Sequence, residues 1–444
     1  MDQGTQDAFE ALLLREVIPA LGCTEPIAIA LATAKARAVL GTEPEQTTVL
    51  CSGNIIKNAM SVIVPNSHGL AGIQIAAALG IVGGDPDAGL EVLGRVTSDE
   101  VDRAQALVDA QSITVRLTEG IEGLYILAQV RAGTDEATVE LRDDHTSFRS
   151  ITRNGEPVLS AESSGAAAQP QKAAPAADPE LSMAAILEFA EHVDLDARPR
   201  LRDTLRQQVE SNMAIAEEGL RTDYGAAVGR TLLVFNDNGD TKVRARALAA
   251  AGADARMGGS SMRVMINSGS GNQGMTVSVP VVVYARELGA SEDELHRALL
   301  VSNLVGIYQK HYIGRLSAFC GVVTAAAAAG AGIGRLQGLT AEQMDATVVN
   351  AVATTGGMVC DGAKASCASK ISIAVENAVS AVQLAETGHV FSPGEGIVGR
   401  NADETIRNVG AMASRGMRDT DVEILNIMLH RQRTSAPGTG GGPA

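Results

Sequence analysis

Residues 161–179 read AESSGAAAQPQKAAPAADP, and this stretch divides the chain. Alanine, proline, serine and glutamine cannot build a core, so a semi-rigid linker is expected here. On its N-terminal side, residues 1–160 carry a mixed pattern. Helices are predicted over Gln6–Val17 and Pro26–Leu40, with Pro19 and Gly22 interrupting the chain between them. β-Branched runs follow at Thr47–Cys51, Ser61–Val64, Ile113–Leu117, Tyr125–Val130 and Thr138–Leu141, separated by Gly, Asp and Asn clusters. Antiparallel strands packed on helices satisfy that pattern. On the C-terminal side, residues 180–434 turn mostly helical, as in MAAILEFAEHV and SKISIAVENAVSAVQLAETG. The expected class is therefore α+β, an N-terminal α+β domain followed by a mostly helical one. The glycine-rich tail, 435–444, is expected to be disordered.

Composition narrows the function. Hydrophobic residues reach 45%, yet aromatics are only 2% and Trp is absent, so the core must come from Ala, Val, Ile and Leu. With 47 glycines, this favours helices that cross closely on small residues. A net charge of −16 without a Lys/Arg run excludes a nucleic-acid or anionic-membrane partner. The N-terminal residues show no basic segment followed by an apolar one, which predicts a cytoplasmic protein. The uncharged stretch after Leu316, including CGVVTAAAAAGAG, is weakly apolar and reads as a buried helix rather than a membrane span. Acidity of this size serves solubility and names no substrate; a small-molecule substrate and a homo-oligomer both stay open. Five cysteines without a secretory segment argue against a disulfide framework.

Three of those cysteines lie in the helical half: Cys320 in LSAFCGVV, and Cys360 and Cys367 in GGMVCDGAKASCASKIS. Cys360 and Cys367 are seven residues apart. In a continuous helix that separation rises about 10.5 Å, too far for two sulfurs to grip one small metal centre. Gly362 permits a turn between them, so a loop folded over a cluster fits better. The spacing is neither that of zinc nor that of a ferredoxin, and buried free thiols remain the alternative. Cys23 stands in LGCTEPIAIALA, where Thr24 can cap a helix and Pro26 fits its first turn. A thiol at a helix N-terminus is expected to have a lowered pKa, as a general base requires. Glu25 is a first-turn carboxylate or a second acid–base group. Cys51 reads as core.

The segments Gly22-Cys23-Thr24-Glu25-Pro26 and Gly357–Lys364 with Cys367 closely resemble the L-cysteine desulfidase family, a relative of the α-chain of iron–sulfur L-serine dehydratases. The resemblance extends over nearly the whole chain except the linker and the tail. It implies that Cys320, Cys360 and Cys367 hold a four-iron four-sulfur ([4Fe-4S]) cluster. It also implies that Cys23 is the base in an elimination from L-cysteine to pyruvate, hydrogen sulfide and ammonia. Three thiolates would leave one iron open to act as Lewis acid on the leaving group. L-Serine dehydration needs the same parts and stays open, as does a non-enzymatic redox sensor with Cys23 or Cys51 as fourth ligand. No lysine has a context suggesting a pyridoxal Schiff base.

For the substrate carboxylate, Lys57 and Asn58 form one candidate patch. Ser268, with Ser270 and Asn272 of the adjoining Gly269–Gly274, forms another. That loop matches G-x-G-x-x-G, but the β-branched MTVSVPVVVYA with Pro280 behind it argues against the helix a dinucleotide site requires. A tight turn is the other reading of the loop. Of the scattered histidines, His311, nine residues before Cys320, is the one singled out.

Overall fold

A computed structural model describes residues 1–159 and 178–434. The expected linker lies almost wholly outside the described residues, and so does the tail. The N-terminal half runs α1 (Gln3–Glu16), β1 (Pro19–Leu21), α2 (Thr24–Leu40), β2 (Gln46–Cys51), α3 (Gly53–Ala59), α4 (Ile73–Gly83) and α5 (Ser98–Asp109). Then come β3 (Ile113–Leu117), β4 (Tyr125–Ala132), β5 (Asp135–Arg142), β6 (Phe148–Arg153) and β7 (Glu156–Leu159). The second half adds α6 (Met183–His192), α7 (Pro199–Arg221), α8 (Val228–Phe235), α9 (Thr241–Met257) and β8 (Arg263–Met265). It ends with α10 (Gly271–Leu288), α11 (Glu292–Ile313), α12 (Gly321–Leu336), α13 (Ala341–Thr355), α14 (Ser366–Glu386), α15 (Ala402–Ala411) and α16 (Arg418–Thr434). The class is α+β, as expected.

Six strands form one sheet in the order β3-β2-β4-β5-β6-β7. All its pairs are antiparallel except β2 with β3, which run parallel because α3, α4 and α5 carry the chain across between them. α2 lies on this sheet with α4 on its other side, so every residue from Thr24 to Ala34 is buried. In the helical half α12 is central, packed against α10, α11, α13 and α14. Its Ala/Gly run is what allows four neighbours so close: a Cβ at Gly332 would sit 2.9 Å from the Ala298 carbonyl oxygen. No helix among the described residues is long and apolar enough to cross a membrane.

Three local expectations need correction. Ser61–Val64 is not a strand. Only Ile63 bridges Ala71, because Pro65 and the left-handed Asn66 turn the chain before a ladder can form. β6 and β7 escape the hydrophobic pattern because four of the six residues of FRSITR are charged or polar, although Asn154-Gly155, both at positive φ, mark a hairpin turn. The third concerns MTVSVPVVVYA, which is helical throughout. α10 is buried from Gly271 to Ala285, and packing on all sides overrides both the β-branched side chains and Pro280.

Two very short strand pairings position the site. β1 runs antiparallel to β8, with Ala20 opposite Val264. Each strand leads through a left-handed turn into a helix. Gly22 (φ +51°) leads to α2, while Ser268 (φ +50°) and Gly269 (φ +82°) lead to α10. The pairing therefore sets two helix N-termini side by side, and Thr24 Oγ1 ties them by donating to the Gly269 carbonyl at 2.9 Å. Thr24 is thus the first helical residue rather than the cap, a position taken by Cys23. The second pairing is a single bridge between Phe319 and Val359. It is closed by Cys320 N–H donating to Met358 O at 3.1 Å and Cys360 N–H to Ala318 O at 2.6 Å.

Candidate active site

Cys320 is the N-cap of α12, and the Phe319–Val359 bridge holds Cys360 beside it. After Cys360 the chain reverses at Gly362, whose φ is +95°. A side chain there would overlap the Lys57 carbonyl oxygen. The reversal returns the chain to α14, which places Cys367 in its first turn, where Cys367 N–H donates to Lys364 O at 2.9 Å. The loop expected between the two cysteines is present. Burial pushes the Cys320 thiol up to about 12, and the neighbouring Cys360 and Cys367 push in the same direction. Three thiols at such proximity, at or near two helix N-termini, are the residues that could hold a cluster. Buried Lys310 and half-buried Lys370 are the cations that face them.

No group of three His, Cys, Asp or Glu among the described residues is gathered tightly enough for a single metal ion. A cluster has a different requirement. Its thiolates bind separate irons, so they must face one volume without meeting at a point.

Cys23 is only 2% exposed and packs with Val62 and Met257, a small apolar cluster that Ala363 and Cys367 adjoin. Its Sγ donates to Glu25 Oε2 at 3.0 Å. The lowered pKa expected of this thiol does not occur. Burial raises it well above its ordinary value and the Glu25 carboxylate adds to the rise, outweighing the helix N-terminus and Arg256. Glu25 shifts the other way. Burial alone would raise its carboxyl, but the nearby His145 and hydrogen bonds from Cys23 and Asn58 hold it far below the usual range. Asn58 Nδ2 donates to Oε1 at 3.0 Å, and His145 Nε2 stands 3.9 Å from the same oxygen. The pair is a protonated thiol on an ionised carboxylate.

Lys57 does not reach an open space. Its ammonium is buried, pairs with Asp421 of α16 and donates to the Cys360 carbonyl at 3.1 Å. It therefore braces the cysteine loop against α3 and α16. Lys57→Met should lower stability by about 1–3 kcal/mol, the cost of stranding a partly exposed carboxylate and a buried carbonyl. Denaturant unfolding measures this, and an unchanged midpoint would show that the brace carries no load.

The hydroxyls of the glycine-rich loop are also occupied. Ser268 Oγ donates to Asn267 Oδ1 at 2.9 Å, and Ser270 Oγ accepts the Gln273 N–H as the cap of α10. Asn272 keeps its Oδ1 buried and without a partner. The loop does follow a strand and open a helix, contrary to the expectation. Among the described residues β8 pairs only with antiparallel β1, which does not give the parallel βαβ unit of a dinucleotide fold. His311 is exposed at the end of α11, edge-on to Tyr312. The histidine beside Glu25 is His145, from the turn between β5 and β6, which no local sequence pattern marks. Arg256, buried at the end of α9 and electrostatically close to Cys23 and Cys367, was equally unmarked. Cys51 is buried in β2 as core.

Residues 87–426 match the family described as serine dehydratase alpha chain, and the chain belongs to that family. It is 46% identical to the UPF0597 protein of Lachnoclostridium phytofermentans, over 94% of this chain and 98% of that one. It is 43% identical to the UPF0597 protein of Finegoldia magna, over 95% and 99%. With the UPF0597 protein of Treponema denticola it shares 42% identity over 97% and 99%. The family match includes Cys320, Cys360 and Cys367 but begins after Cys23.

Proposed function

We propose that this protein is an iron–sulfur lyase that eliminates the β-substituent of L-cysteine, giving pyruvate, hydrogen sulfide and ammonia. The observation that carries the reading is the adjacency of two constellations. One is the trio of Cys320, Cys360 and Cys367; the other is Cys23–Glu25, which packs against Cys367 through Met257 and Val62. A [4Fe-4S] cluster held by the trio would keep one iron without a protein ligand and supply a Lewis acid for the leaving sulfur. The donor set suits it: three thiols, two helix N-termini and the cations Lys310 and Lys370.

The proton chemistry falls to the chain itself. Cys23 Sγ receives the α-proton of the substrate as its own thiol proton passes to Glu25 Oε2, which already accepts that S–H. Asn58 and His145 keep Glu25 ionised and oriented before the transfer. Burial of Cys23 keeps water from competing for the proton. The aminoacrylate product hydrolyses to pyruvate and ammonia without further help.

L-Serine is the second reading, because the matched family is described as serine dehydratase alpha chain. Anaerobic assay against L-cysteine and L-serine, with sulfide and pyruvate measured, decides between them. The protein should be brown, hold about four irons per chain and lose activity in air. Colourless protein after anaerobic reconstitution, with no pyruvate from either substrate, would overturn the proposal.

A further inference from the structure

Buried polar atoms without a hydrogen-bond partner are costly, and folded proteins keep few of them. Among the described residues six buried side-chain atoms lack a partner, and Asn58 Oδ1, His145 Nε2, Arg256 Nε and Asn272 Oδ1 are four of them. All four belong to residues around Cys23 and Glu25. Asn58 and His145 hold Glu25, Asn272 Nδ2 approaches the Met257 sulfur at 3.8 Å, and Met257 packs on Cys23. One is an unpartnered cationic donor and two are unpartnered amide oxygens. Together they complement a small zwitterion, with an anionic end for the guanidinium and an ammonium for the oxygens.

Arg256 is the least expected member. It is one of the largest fully buried side chains, 2% exposed, and no carboxylate among the described residues is its ion-pair partner. A buried guanidinium is normally paired, because desolvation of an isolated charge is severe. Its surroundings make the omission sharper. The guanidinium lies against the N-terminus of α10, where Gly271 has no side chain, and a Cβ at that position would overlap Nε and Cζ. A helix N-terminus is itself electropositive, so two features that attract an anion face the same spot. The other candidates for this task are engaged: Lys57 with Asp421, and Ser268 and Ser270 within their own loop.

We propose that Arg256 binds the α-carboxylate of the substrate amino acid while the Asn58 and Asn272 amide oxygens receive its ammonium group. This rests on the amino-acid lyase reading and adds a residue to it. Arg256 selects for a free carboxylate and aligns the Cα–H with Cys23. Binding itself involves no elimination, so it can be measured with an amino acid that has no leaving group.

Isothermal titration of anaerobically purified protein with L-alanine and with L-alaninamide tests this directly. L-Alanine should bind, and the amide, which lacks the negative charge, should bind at least roughly 30-fold more weakly. Arg256→Gln should weaken L-alanine binding by a similar factor while leaving the weak binding of the amide unchanged. Arg256→Lys should recover part of the loss. Equal binding of acid and amide by the unmodified protein would overturn the inference, whether or not Arg256→Gln folds. So would no binding of L-alanine, or full binding by a folded Arg256→Gln. Active enzyme that binds acid and amide alike refutes Arg256 but keeps the lyase. Carboxylate-dependent binding without pyruvate or sulfide from either substrate refutes the lyase but keeps the site.

Discussion

Alanine at Cys320, Cys360 or Cys367 is expected to remove the proposed cluster and reduce turnover to background, a loss of at least about 10³-fold. Each thiol is fixed by a different device, so none can stand in for another. Cys320 depends on the cap of α12, Cys360 on the strand bridge to Phe319, and Cys367 on the first turn of α14. Iron content and visible absorption of anaerobically purified variants measure the first effect, and pyruvate formation the second. The folds themselves should survive, since Cys360 and Cys367 are only partly buried and Cys320 can lose its sulfur without unsatisfying a backbone group. Full iron in two of the three variants would show that the ligand set is wrong.

The second large effect concerns the proton acceptor. Cys23→Ala should retain iron and absorption yet lose about 10²–10⁴-fold in turnover, the usual contribution of a general base. Glu25→Gln should lose a comparable amount, because the amide cannot take the thiol proton. It should also change the acid stability. The Glu25 carboxyl is lower in the fold than in an unfolded chain, where it lies near about 4.3. Its stabilising contribution is therefore complete above about pH 4.3 and is lost as pH falls toward the folded value. Glu25→Gln lacks that part of the acid sensitivity, which denaturant unfolding between pH 3 and 7 would reveal. If Cys23→Ala instead loses iron, the thiol is a fourth ligand and a closed, non-catalytic cluster becomes the better reading. Retained cluster with full turnover would remove Cys23 from the mechanism altogether.

The α+β class, the helical second half and the sites of the cysteines were legible in the sequence because each depends on local pattern. Helical periodicity identifies α6 and α14, the Ala/Gly run announces α12, and Gly362 between Cys360 and Cys367 signals a reversal. The buried helix α10 was not legible, because its valines and Pro280 carry a strand's local signal and only packing on every side makes them helical. Nor was the state of Cys23. Its helix N-terminus can be read from GCTEP, but the sign of its pKa shift depends on burial and on where the Glu25 carboxylate points. His145 and Arg256 lie 120 or more residues from Glu25 in sequence, and only the strands and helices that carry them bring His145 beside Glu25 and Arg256 close to Cys23. Sequence determines which chemical groups are present and which turns they can occupy. The tertiary structure decides which of them meet, because charge interaction and desolvation depend on distance through space and not along the chain.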